Sequence, residues 1–324
     1  MGDGTKEKPL TREDVLRLIK ENGNTAEGLD LSGKTFVVDI DLRNLDLSRI
    51  ALNEADLSEG HLEGANLEGS YLKGTNLERT HLERGNLLSA HLEGADLVGT
   101  HLEGADLTGA NLKETALMDT HLEGTNLMYA HLEGADLTDA HLEGANLLWA
   151  EYSHTTELGS VDWGNYILGE ERKGLFNLAV DSYRKLKQWY TTAGIYDEAG
   201  RFFFREMTAK RKMLKWWPKP WNTAFSKLLS ILCGYGERPF RVVASATVVV
   251  LGLALIYFII GSVWEWWAFW KSLYFSAVSF TALGYGSWLQ MTNDWIRAIG
   301  AFESFVGVFM MALFLITFIR KMTR

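Results

Sequence analysis

The 324 residues carry 41 Asp and Glu against 32 Lys and Arg, a formal net charge of −9 at pH 7, and a single cysteine, Cys233. That length is too great for one ordinary core, and the composition is too uneven along the chain for one structural class. One cysteine excludes an intrachain disulfide and suits the bulk of the chain to a reducing cytoplasm.

Thr11 with Asp14 reads as a capping box opening a short helix, Val15 to Lys20, that stops near Gly23. Within residues 1–30 this helix is expected to cap the repeats C-terminal to it. No cleavable signal peptide is expected, since the first apolar run of useful length begins at Val242. From Leu42 to Leu147 leucine recurs at every fifth residue without a miss, usually as Ala-Asp/Asn-Leu-x-x. Leu31 and Phe36 look like an earlier, out-of-phase start, and Tyr152 extends the register beyond Trp149. A period of five fits neither an amphipathic helix nor a simple strand.

So strict a repeat means stacked coils, each touching only its neighbours and closed by caps. The residues resemble the pentapeptide-repeat family, which implies a right-handed quadrilateral β-helix with one repeat per side, expected over residues 31–155. Residues 20 apart then stack at roughly 4.8 Å. The leucines and the small residues two before them (Ala55, Ala65, Ala95, Ala105, Ala135) fill the interior.

At the 20-residue period His61, His81, His101, His121 and His141 form one column and Glu63, Glu83, Glu103, Glu123 and Glu143 another on the same side. Such a ladder suits metal binding, but the repeat alone imposes the spacing, and a solvated face with local His–Glu pairing is preferred; no metal site is assigned. On the opposite side Lys73, Glu93, Lys113 and Glu133 alternate in sign, as a structural ladder should. Residues 40–150 hold 20 Asp and Glu against 6 Lys and Arg, a net of −14, so the solenoid is the acidic part. Some members of the resembled family are acidic mimics of DNA that bind topoisomerases, a second function class; solubility explains the charge equally well.

Within residues 156–220 the pattern changes to helical from Leu175. Tyr183, Leu186 and Tyr190 recur at helical spacing, Gly194 breaks the run, and Ala199, Phe202, Phe203 and Met207 restart it. The pair is similar to one tetratricopeptide unit and reads as an α-helical hairpin linker coupling the solenoid to a membrane. Pro218 and Pro220 end it. In residues 221–240, Trp221, Phe225, Leu228, Leu229 and Leu232 make an apolar stripe fit for an interfacial helix. Gly234-Tyr235-Gly236 reads as linker.

Residues 241–324 are expected to be membrane-embedded. Val242 to Val263 is uncharged and long enough to cross about 30 Å of hydrocarbon, as is Ala298 to Ile319, whose single ionisable residue is Glu303. Trp267 to Phe280 is apolar but too short to span, so it reads as a re-entrant half-helix whose negative end faces the Gly-rich loop beyond it. Span, half-helix, loop and span together imply a pore, because irregular backbone at membrane depth is tolerated where it lines a water-filled path. Trp264, Trp266, Trp267, Trp270, Trp288 and Trp295 bracket the loop and Trp216, Trp217 and Trp221 precede the first span, one belt per interface. Arg238 and Arg241 before the first span and Arg320, Lys321 and Arg324 after the second place both termini in the cytoplasm, with Glu265 and Asp294 outside.

The loop Thr281-Ala282-Leu283-Gly284-Tyr285-Gly286-Ser287 resembles the selectivity filter of potassium channels, which implies four subunits whose carbonyls coordinate a dehydrated cation. Gly284 and Gly286 permit dihedrals that a side chain forbids. Ala282 stands where that family has Thr, which weakens the innermost ion site; Leu283 replaces Val and Ser287 replaces Asp. The resemblance puts a hinge glycine at Gly307; a close helix crossing accounts for it equally well. A hinge there turns Val308, Met311 and Leu315 toward the cavity as an apolar gate. Glu303 is expected behind the filter, bonded to the half-helix near Ser276 or Ser279, in preference to a role on the ion path.

The fold class expected is therefore mixed: an N-terminal β-helix, a helical hairpin and an all-α two-span pore domain. The function expected is a homotetrameric, potassium-selective cation channel, multi-pass in the cell membrane, with a cytoplasmic solenoid that regulates or scaffolds. Its partners are the lipid bilayer, monovalent cations and an unidentified cytoplasmic partner of the solenoid; no nucleic acid is expected. A nonselective cation channel and a membrane-anchored scaffold without conduction are the alternatives. No nucleophile–base pair or Walker loop suggests catalysis, and no cofactor beyond potassium ions in the filter is expected. Neither an Arg-rich voltage sensor before the pore nor a C-terminal ligand-binding domain after it is expected.

Overall fold

In the computed structural model, which describes residues 2–214, 220–260, 268–281 and 294–322, the five-residue period becomes a coil with four short sides. Asp41 bridges His61, Asp46 bridges Asn66, Ala51 bridges Tyr71 and Asp56 bridges Asn76, all in parallel, and the same step of 20 residues continues to His131–Glu151. Each side contributes a single bridge, so the stack has no continuous strands. Its leucines are fully enclosed: Leu62, Leu82, Leu102 and Leu122 expose none of their surface. Each such burial contributes about 1.5–3 kcal/mol before the entropy of ordering is subtracted. The second residue after each leucine turns the corner at positive φ. At Gly94 (φ +64°) the space is open, so backbone conformation and not crowding favours glycine.

Where the small interior residue is threonine, its hydroxyl donates to a carbonyl of the preceding coil: Thr75 to Leu52 at 2.7 Å, Thr80 to Leu57 at 3.0 Å, Thr100 to Leu77 at 2.7 Å. A buried hydroxyl is thereby satisfied inside an otherwise apolar column. The period slips by one residue at both ends. Asp30 and Thr35 bridge Ala51 and Asp56 across 21 residues, which keeps the out-of-phase Leu31 and Phe36 inside the core. After Glu151 a second one-residue slip gives Asp136–Glu157 and His141–Asp162, and Leu158 and Trp163 fill the interior. The coil therefore runs past the boundary at residue 155 expected from the sequence.

Both ends are closed. Helix α1 (Arg12–Glu21) is wider than Val15 to Lys20 and begins with the reciprocal Thr11–Asp14 capping box, and Leu10 and Val15 join the solenoid core. At the other end α2 (Gly169–Arg172) leads into α3 (Phe176–Thr192) and α4 (Tyr196–Met213). Tyr183, Leu186, Tyr190 and Phe202 are buried in the same core as the leucines, and Trp163 Nε1 donates to the Tyr190 hydroxyl at 2.7 Å. The Tyr190 hydroxyl in turn donates to the Leu158 carbonyl at 2.7 Å. The helical pair is thus packed as part of the solenoid's own unit, Met1–Met213, which the expectation of a separate linker did not include. Glu206, buried in α4, accepts from Lys187 at 2.8 Å and Lys210 at 2.6 Å.

The second unit, Leu214–Arg324, is helical. Helix α5 (Pro220–Cys233) is succeeded by a 3-10 turn, Gly234–Gly236, in which Tyr235 has φ 58°, and then by α6 (Pro239–Ile260), α7 (Ala268–Phe280) and α8 (Asp294–Met322). The stripe expected on α5 divides. Trp221, Phe225 and Leu228 are exposed together with Ile231, whereas Leu229 and Leu232 turn inward against Cys233 and Val242. Pro220 opens α5 in place of ending the preceding helix, a position where its missing N–H is no loss.

Candidate functional site

Among the described residues two helices are long and apolar enough to cross a membrane: Pro239–Ile260, and within α8 the stretch Ala298–Ile319. Only 11% and 22% of their apolar windows are buried, whereas the core helix of a soluble protein is mostly enclosed. The first starts three residues before the expected Val242, and residues 261–263 lie outside the described residues. Between them α7, 13 residues long, is too short to cross.

Among the described residues, polar contacts at Ser276, Ser279 and Glu303 fix α7 against the two long helices. The Ser276 hydroxyl lies 2.9 Å from the Val250 carbonyl of α6 and also meets the carboxylate of Glu303 on α8. Tyr257 of α6 donates to the other oxygen of Glu303 at 2.7 Å, and its ring meets Phe275 edge-on at 4.8 Å. Ser304 of α8 donates to the Ser279 carbonyl at 2.8 Å. Glu303 is completely buried and bonds to both flanking helices, which is how a carboxyl is accommodated in so apolar a setting. Tyr257, 46 residues from Glu303, carries no mark in the sequence of being its partner.

Gly307 is buried where α8 crosses the C-terminal end of α7: a Cβ there would collide with the Phe280 carbonyl. This is a close crossing, with no kink needed to account for the glycine. Thr281, the first residue after α7, donates its hydroxyl back to the Ala277 carbonyl at 2.9 Å. Ala282, Leu283, Gly284, Tyr285, Gly286 and Ser287 lie outside the described residues, as do Trp216, Trp217, Trp264, Glu265, Trp266, Trp267, Trp288 and Arg324. Trp221, Trp270 and Trp295 are exposed. Val308, Met311 and Leu315 are exposed on α8; Met311 and Leu315 line an apolar cleft of about 390 Å³ with Val242, Phe280 and Met310, and Val308 is not among its walls.

On the solenoid the histidine column stacks ring on ring, His61 to His141, with centroids 5.0, 4.8, 4.6 and 4.8 Å apart. From His61 to His121 the imidazole Nδ1 stands beside the glutamate two residues on, as in His81–Glu83 at 3.0 Å and His101–Glu103 at 3.2 Å, whereas His141 turns to Asp162. In the alternating column Lys113 pairs with Glu133 at 3.1 Å.

A family model for ion channels matches residues 245–324. A second, for pentapeptide repeats, matches 8 copies over residues 46–84, 86–124 and 117–150. Similar solved structures include HetL, a pentapeptide repeat protein from Nostoc sp. strain PCC 7120, at 27% identity over 44% of this chain and 72% of that one, TM-score 0.29. A pentapeptide repeat protein of the Arabidopsis thaliana thylakoid lumen is 21% identical over 48% of this chain and 75% of its own, TM-score 0.22. QnrB1, a plasmid-mediated fluoroquinolone resistance protein, is 19% identical over 43% and 73%, TM-score 0.28. No curated protein matches the chain.

Proposed function

We propose that this chain, which joins a pentapeptide-repeat solenoid to a two-helix ion-channel domain, is one subunit of a homotetrameric, potassium-selective channel. The observation that carries the reading is the ion-channel match over residues 245–324, which takes in most of α6 together with the half-helix and the second long helix. A short helix packed at depth against two spans and ending in a glycine-rich loop is the arrangement that supplies backbone carbonyls to a dehydrated cation. On this reading Thr281, Ala282, Leu283, Gly284, Tyr285 and Gly286 form the filter, with potassium ions as their only cofactor.

On this reading the solenoid is right-handed, as the family it resembles implies, and both termini lie in the cytoplasm of a cell-membrane protein, because Arg238 and Arg241 stand at the start of the first span and Lys321 and Arg324 come after the second. Glu303 braces the half-helix from behind. Val308, Met311 and Leu315 face the conduction axis or the neighbouring subunit. A second reading, a nonselective cation pore, has one observation in its favour: Ala282 lacks the hydroxyl that lines the innermost potassium site in the resembled family.

The filter assignment is tested by Gly284→Ala and Gly286→Ala. Each is expected to abolish cation flux from proteoliposomes while membrane insertion and oligomer size are unchanged. Undiminished flux through either variant would refute the assignment.

A further inference from the structure

We propose that the histidine column of the solenoid is a metal-binding ladder for a borderline divalent transition ion such as Zn²⁺, with its principal site at His101, Glu103 and His121 and a second at Glu63, His81 and Glu83. In each set one ligand atom per residue can be chosen so that all lie within 4.8 Å of one another. His101 and His121 have the tightest ring spacing in the column, 4.6 Å with planes 4° apart, and Glu103 Oε1 stands 3.2 Å from His101 Nδ1. Ligands about a tetrahedral Zn²⁺ at 2.0–2.2 Å are roughly 3.5 Å apart, so side-chain rotation closes the set with the backbone in place. Two imidazoles and one carboxylate with an open fourth position for water suit that ion better than Mg²⁺ or Ca²⁺, which take oxygen ligands.

A second observation points to a cation. Oε2 of Glu63, Glu83, Glu103 and Glu123 is shut off from solvent with no hydrogen-bond partner. The His–Glu pairing satisfies one carboxylate oxygen and leaves the other stripped of water, a loss that is costly unless positive charge replaces it. Net charge in residues 40–150 is −14, which attracts cations to the whole surface. The His101 and Glu103 side chains remain 34% and 38% exposed, so an ion reaches them from bulk solvent. A third grouping, His131, Glu133 and Glu151, already holds a cationic side chain, Lys113 at 3.1 Å from Glu133, and is the poorer site. A bound ion at the principal site ties one coil to the next without using the leucine core.

The test uses the full chain in detergent, purified without a histidine tag, with Zn²⁺ counted by equilibrium dialysis and Co²⁺ as the spectroscopic probe. Wild-type protein is expected to bind Zn²⁺ and to show the d–d bands of tetrahedral Co²⁺. His101→Asn and His121→Asn should each remove one bound Zn²⁺ per chain and the matching Co²⁺ signal, and Glu103→Gln should weaken the same site at least tenfold. Asparagine is compatible with the coil, since Asn66, Asn86, Asn126 and Asn146 hold the equivalent place on a neighbouring side; circular dichroism verifies that each variant folds. His91→Asn, outside both sets, should leave Zn²⁺ binding unchanged. Wild-type protein that binds no Zn²⁺, or folded His101→Asn and Glu103→Gln variants that retain the full Zn²⁺ content and affinity, would overturn the proposal.

Discussion

A methyl group at position 307 has nowhere to go. The Phe280 carbonyl occupies the space a Cβ would need, and Phe280 is the last residue of α7, so Gly307→Ala must push α8 away from the half-helix at the point where the loop begins. Overpacking of this kind costs about 1–3 kcal/mol. Gly307→Ala should therefore lower the melting temperature of the detergent-solubilised protein and reduce flux, whereas Gly252→Ala in α6, where no atom lies within 4 Å of the added carbon, should do neither. Equal melting temperatures for the two variants would show that the crossing is looser than this geometry requires. At this scale the sequence identified the glycine but left two reasons for it open, since hinge and close crossing both require the smallest residue. Glu303 was conspicuous as an ionisable group in an apolar run, and the serines of the half-helix are the natural donors in reach of it. Its bond to Tyr257 depends on how two spans pack, which no local pattern encodes.

At the scale of elements the solenoid was legible because one rule, a leucine every five residues, repeats through it. The one-residue slips at its two ends were not, since a slip is accommodated by residues of other types, Leu158 and Trp163 among them, that break the leucine register while continuing the core. The seating of α3 and α4 on that end was likewise invisible: amphipathic spacing shows that a helix has a buried face without saying against what. This pair carries a buried carboxylate whose effect on stability can be signed. Desolvation raises the pKa of Glu206, but hydrogen bonds from Lys187 and Lys210 outweigh it and hold the carboxyl below its ordinary range. A depressed pKa means stabilisation that is complete above the unfolded value, about 4.3, and is lost as pH falls through the folded value. Melting followed by circular dichroism should show the solenoid unit losing stability as pH falls below about 4.3. Glu206→Gln should cost about 1–3 kcal/mol at pH 7 and flatten that acid limb. An acid limb as steep in the variant as in the wild type would assign the pH dependence to other carboxylates.

For the whole molecule, the two compact units divide the labour: the ion-channel match falls in one and the pentapeptide repeats in the other. If the pore is built by the second unit, a chain beginning at Trp221 should still insert, assemble and conduct, with an open probability altered by loss of the solenoid; a truncated chain that assembles but never conducts would make the solenoid part of the conducting machinery. The order of long apolar helix, short helix and long apolar helix was readable because apolar length is a one-dimensional quantity. Selectivity was not, because in the family this segment resembles it depends on backbone carbonyl geometry, and Ala282, Leu283 and Ser287 depart from that family's residues. The central claim is a potassium-selective pore, and its most direct measurement is the reversal potential of the purified full chain in planar bilayers or proteoliposomes under a potassium-for-sodium gradient. The account predicts a current that reverses close to the potassium equilibrium potential. A reversal potential near zero would contradict the selectivity, and the absence of current from inserted, assembled protein would contradict the pore itself.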